Sequence, residues 1–262
     1  MDKLKSLTRF RDSLVRQRSK QPVELTNILD KVFPEFKPFF DGRFSGTALY
    51  ILAHYQSPEK IANMNARSYE VLRKRSRGRF TMAKFIQLKA LAKNTVGRSD
   101  DFLLQQLDMI LDIHAQLDSK ISEVEGQIQE CIMGIDPPIL TIPGVGYLSA
   151  AVIFPEYGDF SKYENPSKML SFAGLEPGYY QSGQSEHTGH MVKHGSSHLR
   201  YTLMNACLPL ITYEPVFAEY YAKKRAEGKP HRVALTHAAK NLLRVIYTLQ
   251  TRNISYDPMM IR

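Results

Sequence analysis

Ser182 lies in Gln181-Ser182-Gly183, inside a stretch where Gly174, Gly178, Gly183, Gly189 and Gly195 crowd together. A serine beside glycine can occupy a sharply turned, accessible backbone. Its hydroxyl can then attack a phosphoryl group. Lys193 and Arg200 follow closely in sequence. Two such cations can converge on one anion and stabilise a phosphoryl transition state. The same letters also fit an ordinary polar turn, since Ser and Gly are common turn residues.

A second constellation is Thr141-Ile142-Pro143-Gly144-Val145-Gly146, followed by the helix-forming run Tyr147 to Ile153. A helix, a tight Gly-x-Gly turn and a second helix make a helix-hairpin-helix. Its glycines permit a close turn, and the free amides at the new helix start can face a phosphate. Such a hairpin grips a nucleic-acid backbone without reading sequence. A plain structural αα-turn fits equally well. His187, His190, His194 and His198 invite a zinc reading. Gly189 and Gly195 interrupt the segment, and no cysteine or carboxylate pair completes a tetrahedral set. They read better as loop histidines near phosphate, so no metal ligands are assigned.

These residues must be held by elements, and helical spacing dominates the chain. Leu4, Leu7, Phe10, Leu14 and Val15 predict a helix over 4–16. Residues 21–46 carry Pro22, Pro34, Pro38 and four phenylalanines, and read as an aromatic-packed turn region. Helix starts follow near Ser45-Gly46 and at Ser57-Pro58-Glu59, with further helices over 68–75 and 80–93. Leu107, Ile110, His114, Leu117, Ile121, Val124, Ile128 and Cys131 alternate spacings of three and four, which is a heptad seam. It predicts a long coiled-coil helix over about 99–133. Its partner is either the first helix of the chain or a second copy. Gly134, Pro137 and Pro138 end that helix and set the expected domain boundary, giving 1–134 and 135–262. The last part, from His198 to Thr251, is helical again with a break at Glu227–Pro230. The fold class is therefore mostly α: a helical, coiled-coil N-terminal half, then an α-rich domain containing the helix-hairpin-helix.

Composition narrows the chemistry. The 262 residues hold 35 Lys+Arg against 26 Asp+Glu, a net charge of +9, which points to a polyanionic partner. Two cysteines, Cys131 and Cys207, exclude a disulfide scaffold and a Cys-rich zinc module. No apolar run reaches the ~20 residues of a membrane span. The charged N-terminus lacks a signal peptide's apolar core, so a cytoplasmic location is expected. Walker A, dinucleotide-binding and HExxH patterns are absent, as is a carboxylate set of the two-metal nuclease type.

The block from Thr141 to Ala206 resembles the C-terminal domain of the insertion-sequence one-ten family of transposases, to which the Piv-type DNA invertases also belong. The likeness rests on several elements in order. They are the Ile142-Pro143-Gly144-Val145-Gly146 turn, Glu156, Gly158-Asp159-Phe160, Phe172-Ala173-Gly174-Leu175-x-Pro177, Gln181-Ser182-Gly183, and Lys193-x-Gly195 leading to Leu199-Arg200. Upstream, Leu7-Thr8-Arg9-x-Arg11, Val32-Phe33-Pro34-Glu35-Phe36 and the heptad helix resemble the family's central region.

The resemblance implies a DNA transposase or site-specific recombinase in which Ser182 attacks a phosphodiester and holds the strand as a phosphoserine. Gly144, Val145, Gly146, Gln181, Gly183, Lys193, Gly195 and Arg200 become the nucleic-acid contacts. DNA is the implied partner, with a structured guide RNA and self-association through the heptad helix as further implications. The family's RuvC-like nuclease domain binds Mg²⁺, and no residue here matches its carboxylates, so no cofactor is expected on this chain. Val192 also departs from the small polar residue usual before the lysine. The expectation is a truncated or split form, inactive alone. The alternative is a catalytically silent DNA- or RNA-binding protein that co-assembles with full-length transposase and modulates it.

Overall fold

The structure is a computed structural model. It describes the backbone of residues 1–98, 100–182, 185–191 and 194–261, and the side chains among them outside 177–193 and 260–261. Thirteen α-helices and one β-hairpin make up the described elements, with short 3-10 turns between them. The helices are α1 (Asp2–Arg18), α2 (Gln21–Val32), α3 (Phe36–Phe39), α4 (Gly46–Tyr55), α5 (Pro58–Ala62), α6 (Ala66–Arg75) and α7 (Met82–Lys93). The long α8 (Asp101–Ile135) follows, then α9 (Tyr147–Tyr157) and α10 (Pro166–Ala173). The hairpin strands are β1 (Pro177–Ser182) and β2 (Ser185–Met191). After them come α11 (Ser197–Tyr213), α12 (Pro215–Ala226) and α13 (His231–Arg252).

The helix starts follow cap chemistry. Ser45, Ser57, Asn65, Thr81 and Asn165 each accept a hydrogen bond from the backbone N–H three residues on. That satisfies one of the amides every helix leaves orphaned at its start. Residues 21–46 differ from the turn region that their prolines suggest. Pro22 sits in the first turn of α2, where its missing N–H costs nothing, and α2 and α3 are helical. The aromatic packing is as expected: Phe33, Phe36 and Phe40 succeed one another with ring centroids 5.6 and 4.9 Å apart.

The chain forms two compact units. One holds Met1–Arg11 with Val124–Arg262, and the other holds Asp12–Glu123. The division therefore falls inside α1 and α8, not after Gly134, because both helices run on past it. In the unit of residues 12–123, Leu25, Leu29, Val32, Phe33, Phe36, Ile51, Leu52, Leu72, Leu88 and Leu107 form the buried core. The other unit buries the inward faces of α9, α10, α11 and α13, among them Ile153, Met169, Leu203, Leu242 and Ile246.

On α8, seam residues Leu107, Ile121, Val124 and Ile128 are buried, while Ile110, His114, Leu117 and Cys131 are half-buried. Two charge pairs join α8 to α1. Arg18 reaches Asp118 at 2.6 Å in one unit, and Arg11 reaches Glu125 at 2.6 Å in the other. His114 Nδ1 lies 3.5 Å from Asp118 on the same helix. Among the described residues no helix is long and apolar enough to cross a membrane.

Candidate functional site

The hairpin rises from the place where α10 ends and α11 begins. α10 stops in a left-handed glycine, Gly174 (φ 64°, ψ 35°). The Leu175 amide then donates back to the Leu170 carbonyl at 3.0 Å, and the Gly174 amide to Ser171 at 2.9 Å. This backbone reversal satisfies helix-end carbonyls and needs a residue that tolerates positive φ. Leu175 is fully buried, and the chain passes through Glu176 into β1.

β1 and β2 run antiparallel. Tyr179 pairs with Thr188, Tyr180 with His187, Gln181 with Glu186 and Ser182 with Ser185. Ser182 and Ser185 are thus the last pair before the Gly183-Gln184 connection. A bulge between Pro177 and Tyr179 shifts the register near the base. Gly183 and Lys193 lie outside the described residues, and Gln181 and Ser182 are placed by backbone alone.

The return strand is tied to the same helix end. Gly195 has φ 118°, and a Cβ there would sit on the Phe172 carbonyl and 3.1 Å from the Gly174 amide. The Ser196 amide donates to that Phe172 carbonyl at 3.2 Å, and the Ser196 hydroxyl caps α11 by accepting from the Leu199 amide. Arg200, in the first turn of α11, donates through Nη1 to the Ala173 carbonyl at 3.2 Å. A guanidinium suits the carbonyl end of a helix. Arg200 and Gly195, both expected as phosphate contacts, are therefore also the clamp that joins α10 to α11 under the hairpin. The positive end of α11 faces the same junction.

Below α10 lies an aromatic cluster. The Tyr157 ring packs at a tilt 5.7 Å from Phe160 and 5.6 Å from Phe172, and its hydroxyl donates to the Met169 carbonyl at 3.0 Å. Burial pushes the Tyr157 phenol far above the ordinary tyrosine range, so it stays a neutral hydrogen-bond donor. The Gly158-Asp159-Phe160 motif is structural. Gly158 ends α9 at φ 68°, and Asp159 accepts from the Ser161 hydroxyl and amide. Those two bonds hold the Asp159 carboxyl below its usual range.

The Gly144-Val145-Gly146 turn has two sides. Gly144 (φ 84°) packs inward, its Cβ direction blocked by Pro209 of α11 at 3.1 Å. Val145 is buried. Gly146 caps α9 with nothing within 4 Å of where a Cβ would stand, and no side chain caps the first amides of α9. What precedes the turn is a 3-10 helix over Pro138–Thr141, so the corner is a 3-10 turn followed by one α-helix.

One relationship has no sequence signal. Glu156, near the end of α9, is buried, and Arg9 of α1 donates to it from Nε and Nη2 at 3.1 and 2.9 Å. Lys5 stands 3.6 Å from its other oxygen. Among the described residues no group of His, Cys, Asp and Glu is placed to hold a metal ion.

A mostly helical chain that lifts a serine on a β-hairpin between two clamped helix ends defines the class: an α-rich protein built around a serine-bearing arm. Residues 136–222 match the model described as the transposase IS116/IS110/IS902 family. The chain is 23% identical over 275 residues to the insertion element IS110 43.6 kDa protein of Streptomyces coelicolor, covering 98% of this chain and 65% of that protein. It is 26% identical to the IS900 42 kDa protein of Mycobacterium paratuberculosis, covering 97% of this chain and 65% of the relative. It is 27% identical over 121 residues to the pilin gene-inverting protein of Moraxella bovis, covering 45% of this chain and 38% of that one. Over residues 136–222 the chain is thus similar to the IS116/IS110/IS902 family, the insertion-sequence one-ten family that its motifs resemble. It spans 65% of the length of the two insertion-element relatives.

Proposed function

We propose that the chain acts in DNA recombination for an insertion sequence, as a DNA-binding transposase component in which Ser182 forms the covalent link to a DNA strand. The observation that carries this reading is the place of Ser182: the last paired residue of β1, at the end of an arm whose base is clamped to the helix-end junction. The family match over residues 136–222 spans it, and the relatives of the chain include proteins named as a probable transposase and as a pilin gene-inverting protein.

The chemistry is a transesterification. The Ser182 Oγ bonds to phosphorus as the P–O bond to the leaving strand breaks. The serine proton passes to solvent or a nearby base, and the leaving strand's oxygen gains a proton to become a hydroxyl. The phosphoserine ester keeps the bond energy, so the reverse attack by a strand hydroxyl rejoins DNA without a nucleotide cofactor. The positive start of α11 and the Arg200 N–H groups left over from Ala173 would stabilise charge developing on the phosphoryl oxygens. Gly146 at the open start of α9 would hold a neighbouring backbone phosphate. The resemblance assigns Mg²⁺ to a nuclease domain, and among the described residues no group of His, Cys, Asp and Glu is placed to hold it.

The test is trapping. End-labelled DNA carrying a nick that releases the leaving strand is incubated with wild type and Ser182→Ala, then run on a denaturing gel. A protein–DNA adduct that disappears in Ser182→Ala supports the reading. An adduct that survives overturns it. Equal DNA binding by both with no adduct in either would favour a silent DNA-binding modulator instead.

A further inference from the structure

Far from the hairpin in sequence, the unit of residues 12–123 carries an unassigned basic cleft. It lies between the start of α4 and the loop joining α6 to α7, and has a volume of about 430 Å³. Arg75, Arg77, Arg79 and Lys84 line it together with Gly46 and Thr47. We infer that this cleft is a second phosphate-binding site, which takes the sugar-phosphate backbone of a nucleic-acid strand. The inference rests on the proposed function only in taking nucleic acid as the chain's substrate class.

Three observations support it. First, no carboxylate pairs with any of these four cations among the described residues. Arg75 is held instead over the Tyr50 ring, 4.1 Å from its centroid, and the other three have no ion-pair partner. Four uncompensated cations on one concave surface repel each other and so favour an anion. Second, the loop that presents them is fixed. The Gly78 amide donates to the Arg73 carbonyl at 2.9 Å, the Arg79 amide to the Ser76 carbonyl at 3.2 Å, and the Phe80 amide to the Ser76 hydroxyl at 2.9 Å. Arg77 is held at φ 53°, a conformation that glycine adopts with less strain, yet the position carries a guanidinium. Third, the facing wall is the start of α4. Ser45 already caps the Ala48 amide, which leaves the Gly46 and Thr47 amides for a ligand. A cleft of this size has room for a phosphate with its flanking sugar, the unit that a nucleic-acid strand presents.

The experiment measures binding of the full chain to a labelled DNA duplex and to a labelled RNA hairpin by fluorescence anisotropy across a salt series. It compares wild type with Arg77→Gly/Arg79→Ala and with Arg77→Glu/Arg79→Glu. Arg77→Gly removes charge where glycine fits the backbone better, so loss of folding does not confuse the result. Lys20→Glu/Lys31→Glu is the charge-matched control, with both residues exposed in the same unit. The expected result is roughly a tenfold or greater loss of affinity, with the log–log salt slope reduced by about two, for at least one polymer. Loss for both means the cleft reads backbone phosphate common to DNA and RNA. Loss for one alone identifies which polymer occupies it, and either result supports the site. Unchanged binding, or a loss no greater than the control's, overturns it while leaving the Ser182 reading intact. Failure of wild type to bind either polymer overturns both.

Discussion

Arg9 and Glu156 join the first helix to the ninth. The carboxylate is 2% exposed and receives two N–H groups from one guanidinium, whose own side chain is 58% exposed. Glu156 also lies near the carbonyl end of α9, where a negative charge is disfavoured by the helix dipole. Arg9 and Lys5 answer both problems from outside. The expected outcome is asymmetric. Arg9→Ala leaves a buried charge short of partners and destabilises the fold by about 2 kcal/mol, whereas Glu156→Gln costs less. The double variant should lose less than the sum of the singles, read from urea midpoints. Additive losses would show that the two groups do not depend on each other.

Gly195 gives the second expectation. Any Cβ at φ 118° is strained, and this one would meet the Phe172 carbonyl. Gly195→Ala should therefore cost more than the ~1 kcal/mol of an ordinary glycine replacement and should loosen the hairpin base. Arg200→Lys keeps charge but not the guanidinium geometry that reaches Ala173. It should lower the yield of covalent DNA adduct more than it lowers the melting temperature. A normal adduct yield in Arg200→Lys would separate the clamp from the chemistry.

Much of this architecture was legible because its signals are local. The starts at Ser45 and Ser57-Pro58 follow from cap chemistry, and the break before His231 from Gly228 and Pro230. The heptad of α8 gave the helix, but burial along it is uneven: Leu107 and Ile128 are covered while Leu117 and Cys131 are only half-covered. Helix α2 was hidden by Pro22, which suggests a turn but sits where a helix accepts it. The hairpin gave no strand signal, because Pro177–Ser182 and Ser185–Met191 are glycine-containing and lack an apolar alternation. The Arg9–Glu156 pair spans 147 positions and has no local signature at all. Ser182 was legible as a candidate, but its place at the end of a strand was not.

Glu35 makes a pH-dependent expectation. Its carboxylate accepts from the Thr95 hydroxyl at 2.6 Å and the Val96 amide at 3.1 Å, tying the chain after α7 to the turn after α2. Burial pushes its carboxyl up, but these hydrogen bonds outweigh it and hold the pKa below the ordinary 4.5. A depressed carboxyl pKa contributes stability that is present above the unfolded value and is lost as pH falls through the folded one. Glu35→Gln should therefore be less stable than wild type at neutral pH. The gap should close as pH falls below about 4.5, measured as melting temperature against pH. A gap constant across that range would mean that protonating Glu35 costs the fold nothing, so that these hydrogen bonds do not depress its carboxyl.

Gly144 and Gly146 separate fold from function within one turn. Gly144 has positive φ and Pro209 of α11 in the path of any Cβ, at 3.1 Å. Gly144→Ala should destabilise the unit by roughly 1–3 kcal/mol, because neither the backbone nor the proline can give way easily. Gly146 has ordinary extended backbone (φ −74°, ψ 164°) and nothing within 4 Å of a Cβ. Serine there is a better N-cap than glycine, so Gly146→Ser should hold or raise the melting temperature by a few tenths of a kcal/mol equivalent. Its hydroxyl would also occupy an amide that a phosphate could use, so DNA affinity should fall while stability does not. If Gly146→Ser binds DNA as wild type does, the turn at the start of α9 is a packing device alone, and the proposed nucleic-acid contacts rest on the hairpin and the basic cleft.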